Sequence, residues 1–236
     1  MRSMETEIWL KPECGIFDMD GTLLDSMGMW RNLGRDLFLC HGVHPPVDLA
    51  ARTRHLELPK LAERCSALGV PGSPRSLEAE LRGRIERFYR EWVYAKPDVS
   101  DFLARLHADG VRLYVATATD RPMAETALER AGLSGYFQGM VTCRESGQEK
   151  REGPAVYEWA LEALRSRKQD TLVFEDVFYA VRTAKNAGFR VAAVYDAWEK
   201  PQAELRRLAD YYIMSYEAFF RVPSFPEKRF TRSSKI

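Results

Sequence analysis

From Lys96 onward the chain alternates between two periodicities, and that alternation narrows the folds open to it. A helical pattern over Val99–Ala108 is followed by an apolar strand over Val111–Thr117, a helix from Pro122, a strand at Gly139–Thr142 and a helix over Pro154–Leu164. A strand over Thr171–Phe174, a helix over Val177–Ala187 and a strand over Arg190–Tyr195 complete the series. Short apolar strands separated by amphipathic helices predict a parallel sheet covered on both faces. The expected fold class is therefore α/β, a doubly wound, Rossmann-like parallel sheet.

An earlier apolar strand ends at Phe17, but the stretch after it breaks the rhythm. Trp30–Leu39, Leu58–Leu68 and Leu77–Val93 place apolar residues at helical spacing, interrupted by His44-Pro45-Pro46 and Pro71-Gly72-Ser73-Pro74. An inserted α-helical domain over 27–95 is expected, splitting an α/β core into 1–26 and 96–220. Residues 221–236 carry two prolines, two consecutive serines and five basic residues with little apolar periodicity, the pattern of a flexible tail.

Composition sets limits on what such a chain does. With 236 residues, 45% of them hydrophobic, it can fill a sizeable core. Its 35 basic and 34 acidic residues leave a net charge of +1, which offers no footprint for nucleic acid and no polybasic anchor for a membrane. An anionic ligand has to be met by local charge. Cys14, Cys40, Cys65 and Cys143 are widely spread without a C-x-x-C pair, so reduced thiols are expected. His41 and His44 suit a loop after a helix better than a metal pair. No apolar run approaches ~18 residues, and Met1–Lys11 holds Glu5 and Glu7 without a signal-peptide core, so a soluble cytoplasmic protein is expected. Glycine-rich phosphate cradles are missing, so a phosphate would be held some other way.

The chemistry concentrates at four predicted strand ends. Ile16-Phe17 runs into Asp18-Met19-Asp20-Gly21-Thr22, two carboxylates followed by a glycine break at the edge where α/β sheets bind ligands. Val115-Ala116 ends in Thr117-Ala118-Thr119, where a hydroxyl and the following backbone N–H groups can donate to phosphoryl oxygens. Lys150 and Arg151 precede Pro154 and its helix, and either can bring a cation. The compact ammonium of Lys150 fits better between two anions. Finally, Val173-Phe174 empties into Glu175-Asp176. Oxygen ligands of this kind suit magnesium.

In this order and spacing the four segments resemble the motifs of the haloacid dehalogenase superfamily, and the resemblance spans Ile16 to Ala187. The helical insert is similar to that superfamily's C1-type cap, and Asp25-Ser26 suits its beta-phosphoglucomutase-like and phosphoglycolate-phosphatase-like branch. The resemblance implies a Mg2+-dependent phosphatase acting on a small phosphorylated metabolite, of sugar phosphate or phosphoglycolate type. Asp18 would attack phosphorus and form an aspartyl-phosphate, while Asp20 serves as acid and then base. Thr117 and Lys150 would complete the catalytic set. Asp18, the backbone carbonyl of Asp20, Glu175 and Asp176 would surround the metal. Ala118 and Thr119 would meet the phosphate, and Arg54 and His55 in the cap segment Arg52–Lys60 would reach the substrate. A phosphomutase of the beta-phosphoglucomutase type is the alternative, although its lysine flanked by glycines is not evident. A non-catalytic ligand-binding relative is a third reading, disfavoured by the intact Asp18 and Asp20. Val177 departs from the small polar residue common after the acidic pair, which leaves Asp176 one hydrogen-bond partner fewer.

Overall fold

The computed structural model describes residues 11–53 and 56–217. Six parallel strands form one sheet: β1 (Cys14–Phe17), β2 (Arg112–Thr117), β3 (Met140–Thr142), β4 (Thr171–Glu175), β5 (Arg190–Val194) and β6 (Tyr211–Ile213), in the spatial order β3-β2-β1-β4-β5-β6. This is the doubly wound arrangement expected above. The order reverses between β1 and β4, and there the carboxyl ends of the strands diverge into a crevice.

Side chains alternate across the sheet and both sides are dry. Phe17, Leu113, Val115, Leu172, Phe174, Ala192 and Val194 face one apolar layer, whereas Cys14, Ile16, Ala116, Val173, Val191 and Ala193 face the other. The first layer is closed by α5 (Val99–Ala108) and α6 (Arg121–Arg130). The second is closed by α8 (Ala155–Ala163), α9 (Phe178–Asn186) and α10 (Gln202–Leu208). A short α7 (Cys143–Ser146) begins on a capping box: the Thr142 hydroxyl accepts the Glu145 N–H, and the Glu145 carboxylate accepts the Thr142 N–H.

Between β1 and α5 the chain forms four helices: α1 (Met27–Cys40), α2 (Leu49–Thr53), α3 (Leu58–Ala67) and α4 (Pro74–Glu91). The sequence pattern begins the last of these at Leu77, but the structure starts it three residues earlier. Ser73 is its N-cap, accepting the Ser76 N–H, and Pro74 takes the first helical position, where its missing N–H costs nothing. The α4 residues Leu77, Leu81, Ile85 and Tyr89, one per turn, form its buried stripe. The two chain crossings between insert and sheet pair with each other. Asp25 N–H donates to Tyr94 O at 3.0 Å, and Lys96 N–H donates to Leu23 O at 2.8 Å. The loop after β5 holds the same region through Lys96–Asp196 at 3.0 Å and Arg31–Glu199 at 3.2 Å.

Strand β6 and helices α2, α7 and α10 are too short to show a period in the sequence. All four cysteines are free, with Cys14, Cys65 and Cys143 buried. His41 pairs with Glu80 at 2.8 Å. No helix among the described residues is long and apolar enough to cross a membrane. Arg54, His55 and the expected tail, 221–236, lie outside the described residues.

Beneath the crevice, Phe17 stacks on Phe174 with centroids 4.0 Å apart and planes 4° from parallel, and Phe102 meets both rings edge-on. These rings fix the ends of β1 and β4 relative to each other. Truncating one leaves a void that the surrounding sheet cannot close, so Phe174→Ala should cost about 3–5 kcal/mol. The check is the urea midpoint, which should fall while the denaturant slope stays unchanged.

Candidate active site

The site is built at the switch point from the carboxyl ends of β2, β1 and β4. Asp18 extends the pairing of β1 by one residue, donating its N–H to Phe174 O at 2.9 Å, and its buried side chain therefore stands beside the end of β4. The chain then turns back on itself: Leu23 and Leu24 N–H both donate to Met19 O at 2.9 Å. Gly21 makes that turn possible. Its φ of +83° lies in the left-handed region, and a Cβ there would collide with Asp176 Oδ2. Thr22 carries the turn to the opposite carboxylate, donating to Asp176 Oδ1 at 3.1 Å.

Lys150, in the loop before α8, is buried and its ammonium bonds Asp18 Oδ1 and, at 2.6 Å, Glu175 Oε1. Arg151 turns away and lies over the Tyr179 ring, 4.2 Å from its centroid. The geometry thus separates the two neighbouring cations that the sequence leaves as alternatives. Tyr157, on the buried face of α8, donates to Glu175 Oε1 at 2.8 Å. Glu175 Oε2 accepts the N–H groups of Asp176 and Val177 at 3.1 and 3.4 Å, so this carboxylate has donors at both oxygens.

Asp18, Glu175 and Asp176 each bring an oxygen within 4.8 Å of the others. Burial raises the Asp18 carboxyl to about 7; the negative charges of Glu175 and Asp20 add to the effect and Lys150 opposes it. Burial also pushes Asp176 well above the carboxylate range, reinforced by Asp18 and Glu175. Burial alone would lower Lys150, but the facing Asp18 and Glu175 outweigh it and hold the ammonium charged. Asp176 Oδ2 is buried with no hydrogen-bond partner. An orphaned oxygen within a crowd of buried carboxylates is the environment a divalent cation relieves, and the residues present fit one.

The side chain of Asp20 stands apart from this cluster. Ser26 donates to its Oδ1 at 2.6 Å, Tyr89 to the same oxygen at 2.7 Å, and Thr119 to Oδ2 at 2.7 Å. Thr117 is buried and accepts the Thr119 N–H at 3.1 Å, while Ala118 between them is exposed. Phe38 is buried in the apolar core and Trp30 packs against it, and Trp30 also donates its indole N–H to Tyr89 at 3.0 Å. Tyr89 and Tyr157 escape sequence reasoning because each occupies an ordinary buried helix position. The available signal is a hydroxyl-tipped ring in an otherwise apolar stripe.

A buried aspartate directly after β1, a cation in the loop before α8 and an acidic β4 end define the class: an α/β core carrying a polar site at its switch point, with a helical insert after the first strand. The chain matches the haloacid dehalogenase-like hydrolase family over residues 15–194, and it belongs to that family. A phosphorylated carbohydrates phosphatase from Thermotoga maritima is 30% identical over 183 residues, covering 75% of this chain and 82% of the relative. A Thermotoga maritima structure assigned as a beta-phosphoglucomutase superposes with a TM-score of 0.73 at 26% identity, over 85% of this chain and 93% of that one. The phosphate complex of CbbY from Rhodobacter sphaeroides gives 0.71 at 20% identity, over 87% and 95%.

Since Asp18 and Asp176 bind protons more tightly folded than unfolded, the metal-free protein should lose stability as pH rises from about 4, the unfolded carboxylate value, through about 7. In chelator, the melting temperature should fall from pH 5 to pH 8. Asp18→Asn should flatten that fall, and excess magnesium should reverse it. Scanning fluorimetry at the two pH values checks all three outcomes.

Proposed function

We propose that this protein is a magnesium-dependent phosphatase that hydrolyses a small phosphorylated metabolite, of sugar phosphate or phosphoglycolate type, through a phosphorylated Asp18. The observation that carries the reading is the placement of Asp18 at the switch point, between the Lys150 ammonium and the orphaned oxygen of Asp176. The similarity to the Thermotoga maritima phosphatase supports it.

Asp18, Asp176 and Glu175 would hold the ion, the first two through oxygens and the third chiefly through charge. When bound, magnesium would neutralise charge building on the phosphoryl oxygens. Lys150 holds the Asp18 carboxylate by one oxygen and so aims the other at phosphorus. Its charge also offsets the repulsion between nucleophile and phosphate. The Thr117 hydroxyl, held by the Thr119 N–H, and the backbone N–H of Ala118 provide uncharged donors for the phosphoryl oxygens. Asp20 gives its proton to the departing ester oxygen, then takes one from the water that cleaves the phosphoaspartate. The helical insert, hinged near 26–28 and 94–97, acts as a cap that excludes water. Arg54 and His55 belong to its proposed substrate segment. Buried free thiols at Cys14, Cys65 and Cys143 suit a reducing cytoplasm.

A phosphomutase is the second reading, favoured by the structural likeness to the protein assigned as a beta-phosphoglucomutase. Phosphate release from a panel of sugar phosphates and phosphoglycolate tests both. Release should require magnesium, and Asp18→Asn should lower it by at least about 10³-fold. No release from any ester, together with isomerisation of a hexose 1-phosphate primed by a bisphosphate, would replace the phosphatase with the mutase.

A further inference from the structure

Asp20 draws its hydrogen bonds from three separate parts of the molecule. Ser26 lies at the crossing into the insert, Thr119 follows β2 in the core, and Tyr89 is on α4 of the insert. The direction of the third bond is fixed by the residue behind it. Indole Nε1–H is a donor only, and Trp30 on α1 places it on the Tyr89 oxygen at 3.0 Å. The Thr119 hydroxyl lies 3.4 Å from the same oxygen but gives its own proton to Asp20 Oδ2, and the shorter contact, 2.7 Å, directs the phenolic proton to Asp20 Oδ1. Burial, followed by the charge of Asp20, pushes the Tyr89 hydroxyl well above its ordinary value, so it stays protonated.

The apolar stripe of α4 does not need this hydroxyl. Leu77, Leu81 and Ile85 occupy the equivalent positions on earlier turns, and phenylalanine would fill the fourth as well. A buried phenol costs free energy unless its hydroxyl is paired. The pairing here is with the carboxylate two residues beyond the nucleophile. A carboxylate oxygen has two lone-pair sites. Oδ1 of Asp20 has both filled, by Ser26 and Tyr89, whereas Oδ2 has one filled, by Thr119.

We propose that Tyr89, backed by Trp30, is a positioning residue supplied by the insert. It pins Oδ1 of Asp20 so that the remaining site on Oδ2 faces the reacting ester. The inference rests on the phosphatase reading and deepens it: the seating of the insert on the core sets the geometry of the proton transfer. In the first step an Asp18 oxygen bonds phosphorus, the bond from phosphorus to the ester oxygen breaks, and the Asp20 proton passes to that oxygen. In the second, a water oxygen bonds phosphorus, its proton goes to Asp20, and the bond from phosphorus to Asp18 breaks. Tyr89 gains and loses no proton in either step.

Leaving groups separate this role from a structural one. An ester of an alcohol needs a proton at its departing oxygen, and p-nitrophenyl phosphate does not. The measurement is kcat/KM, with magnesium, for p-nitrophenyl phosphate and for the best sugar or glycolate ester, because this ratio reports formation of the phosphoaspartate. Tyr89→Phe should lower the value for the alkyl ester about tenfold and change that for the nitrophenyl ester far less. Trp30→Phe should act in the same direction by a smaller factor, and it carries the test if Tyr89→Phe fails to fold by circular dichroism. Adding Tyr89→Phe to Asp20→Asn should cost nothing further. Equal losses on both esters, no loss on either, or full additivity with Asp20→Asn would overturn the proposal while leaving the phosphatase intact. A wild-type enzyme inactive on both esters would instead remove the phosphatase reading, and this one with it.

Discussion

The crowding of negative charge at the end of β1 and β4 is the constraint on which the rest of the site depends. Asp18, Glu175 and Asp176 bring three carboxylates into a buried space where, among the described residues, Lys150 is the one ammonium in contact with them. Taking charges out of water is costly unless they are paired, and the arrangement leaves about two negative charges without a cation. Burial first, and then the neighbouring carboxylates, push Asp18 and Asp176 upward. A single divalent ion would carry the balancing charge, so that a substrate phosphate beside it would no longer meet an excess of negative charge.

Holding such a cluster together demands a rigid base, and the sheet provides it. The paired strands set Asp18 beside β4, and the Phe17–Phe174 stack locks their register from below. Gly21 lets the turn after Asp18 pass against Asp176 Oδ2 where any side chain would collide. The backbone is thus closest to the acidic cluster where the sequence has no Cβ. Tyr216 extends the support from the far end of the described chain, donating to Thr22 O at 3.1 Å. The hydroxyl of Thr22 in turn holds Asp176.

Much of this was legible in the sequence because it depends on local pattern. Parallel strands covered on both sides leave continuous apolar runs, and the abrupt change to Asp18, Thr117 or Glu175 marks where each strand meets solvent or ligand. Short elements were not legible: β6 spans only Tyr211–Ile213, within a stretch whose burial depends on β5 beside it. The choice between Lys150 and Arg151 also lay beyond local pattern. Adjacent residues in a loop point in different directions, and it is the Tyr179 ring that receives the guanidinium. The contributions of Tyr89 and Tyr157 required tertiary contacts, since the partners of those hydroxyls lie 69 and 18 residues away in the chain.

Two aspartates in one turn meet different surroundings, and this difference suits them to the two roles proposed for them. Asp18 is buried against an ammonium and two further carboxylates, so it is restrained by charge. Asp20, partly exposed, is restrained by neutral hydroxyls alone. Hydroxyls fix direction without adding charge, and they leave a carboxyl able to gain or lose a proton without removing a salt bridge. Were Lys150 replaced by a hydroxyl, Asp18 would face Glu175 and Asp176 without compensation and would favour its protonated, unreactive form. The proposed chemistry therefore rests on a sorting of partners: the cation goes to Asp18, which would attack, and the neutral donors to Asp20, which would exchange a proton.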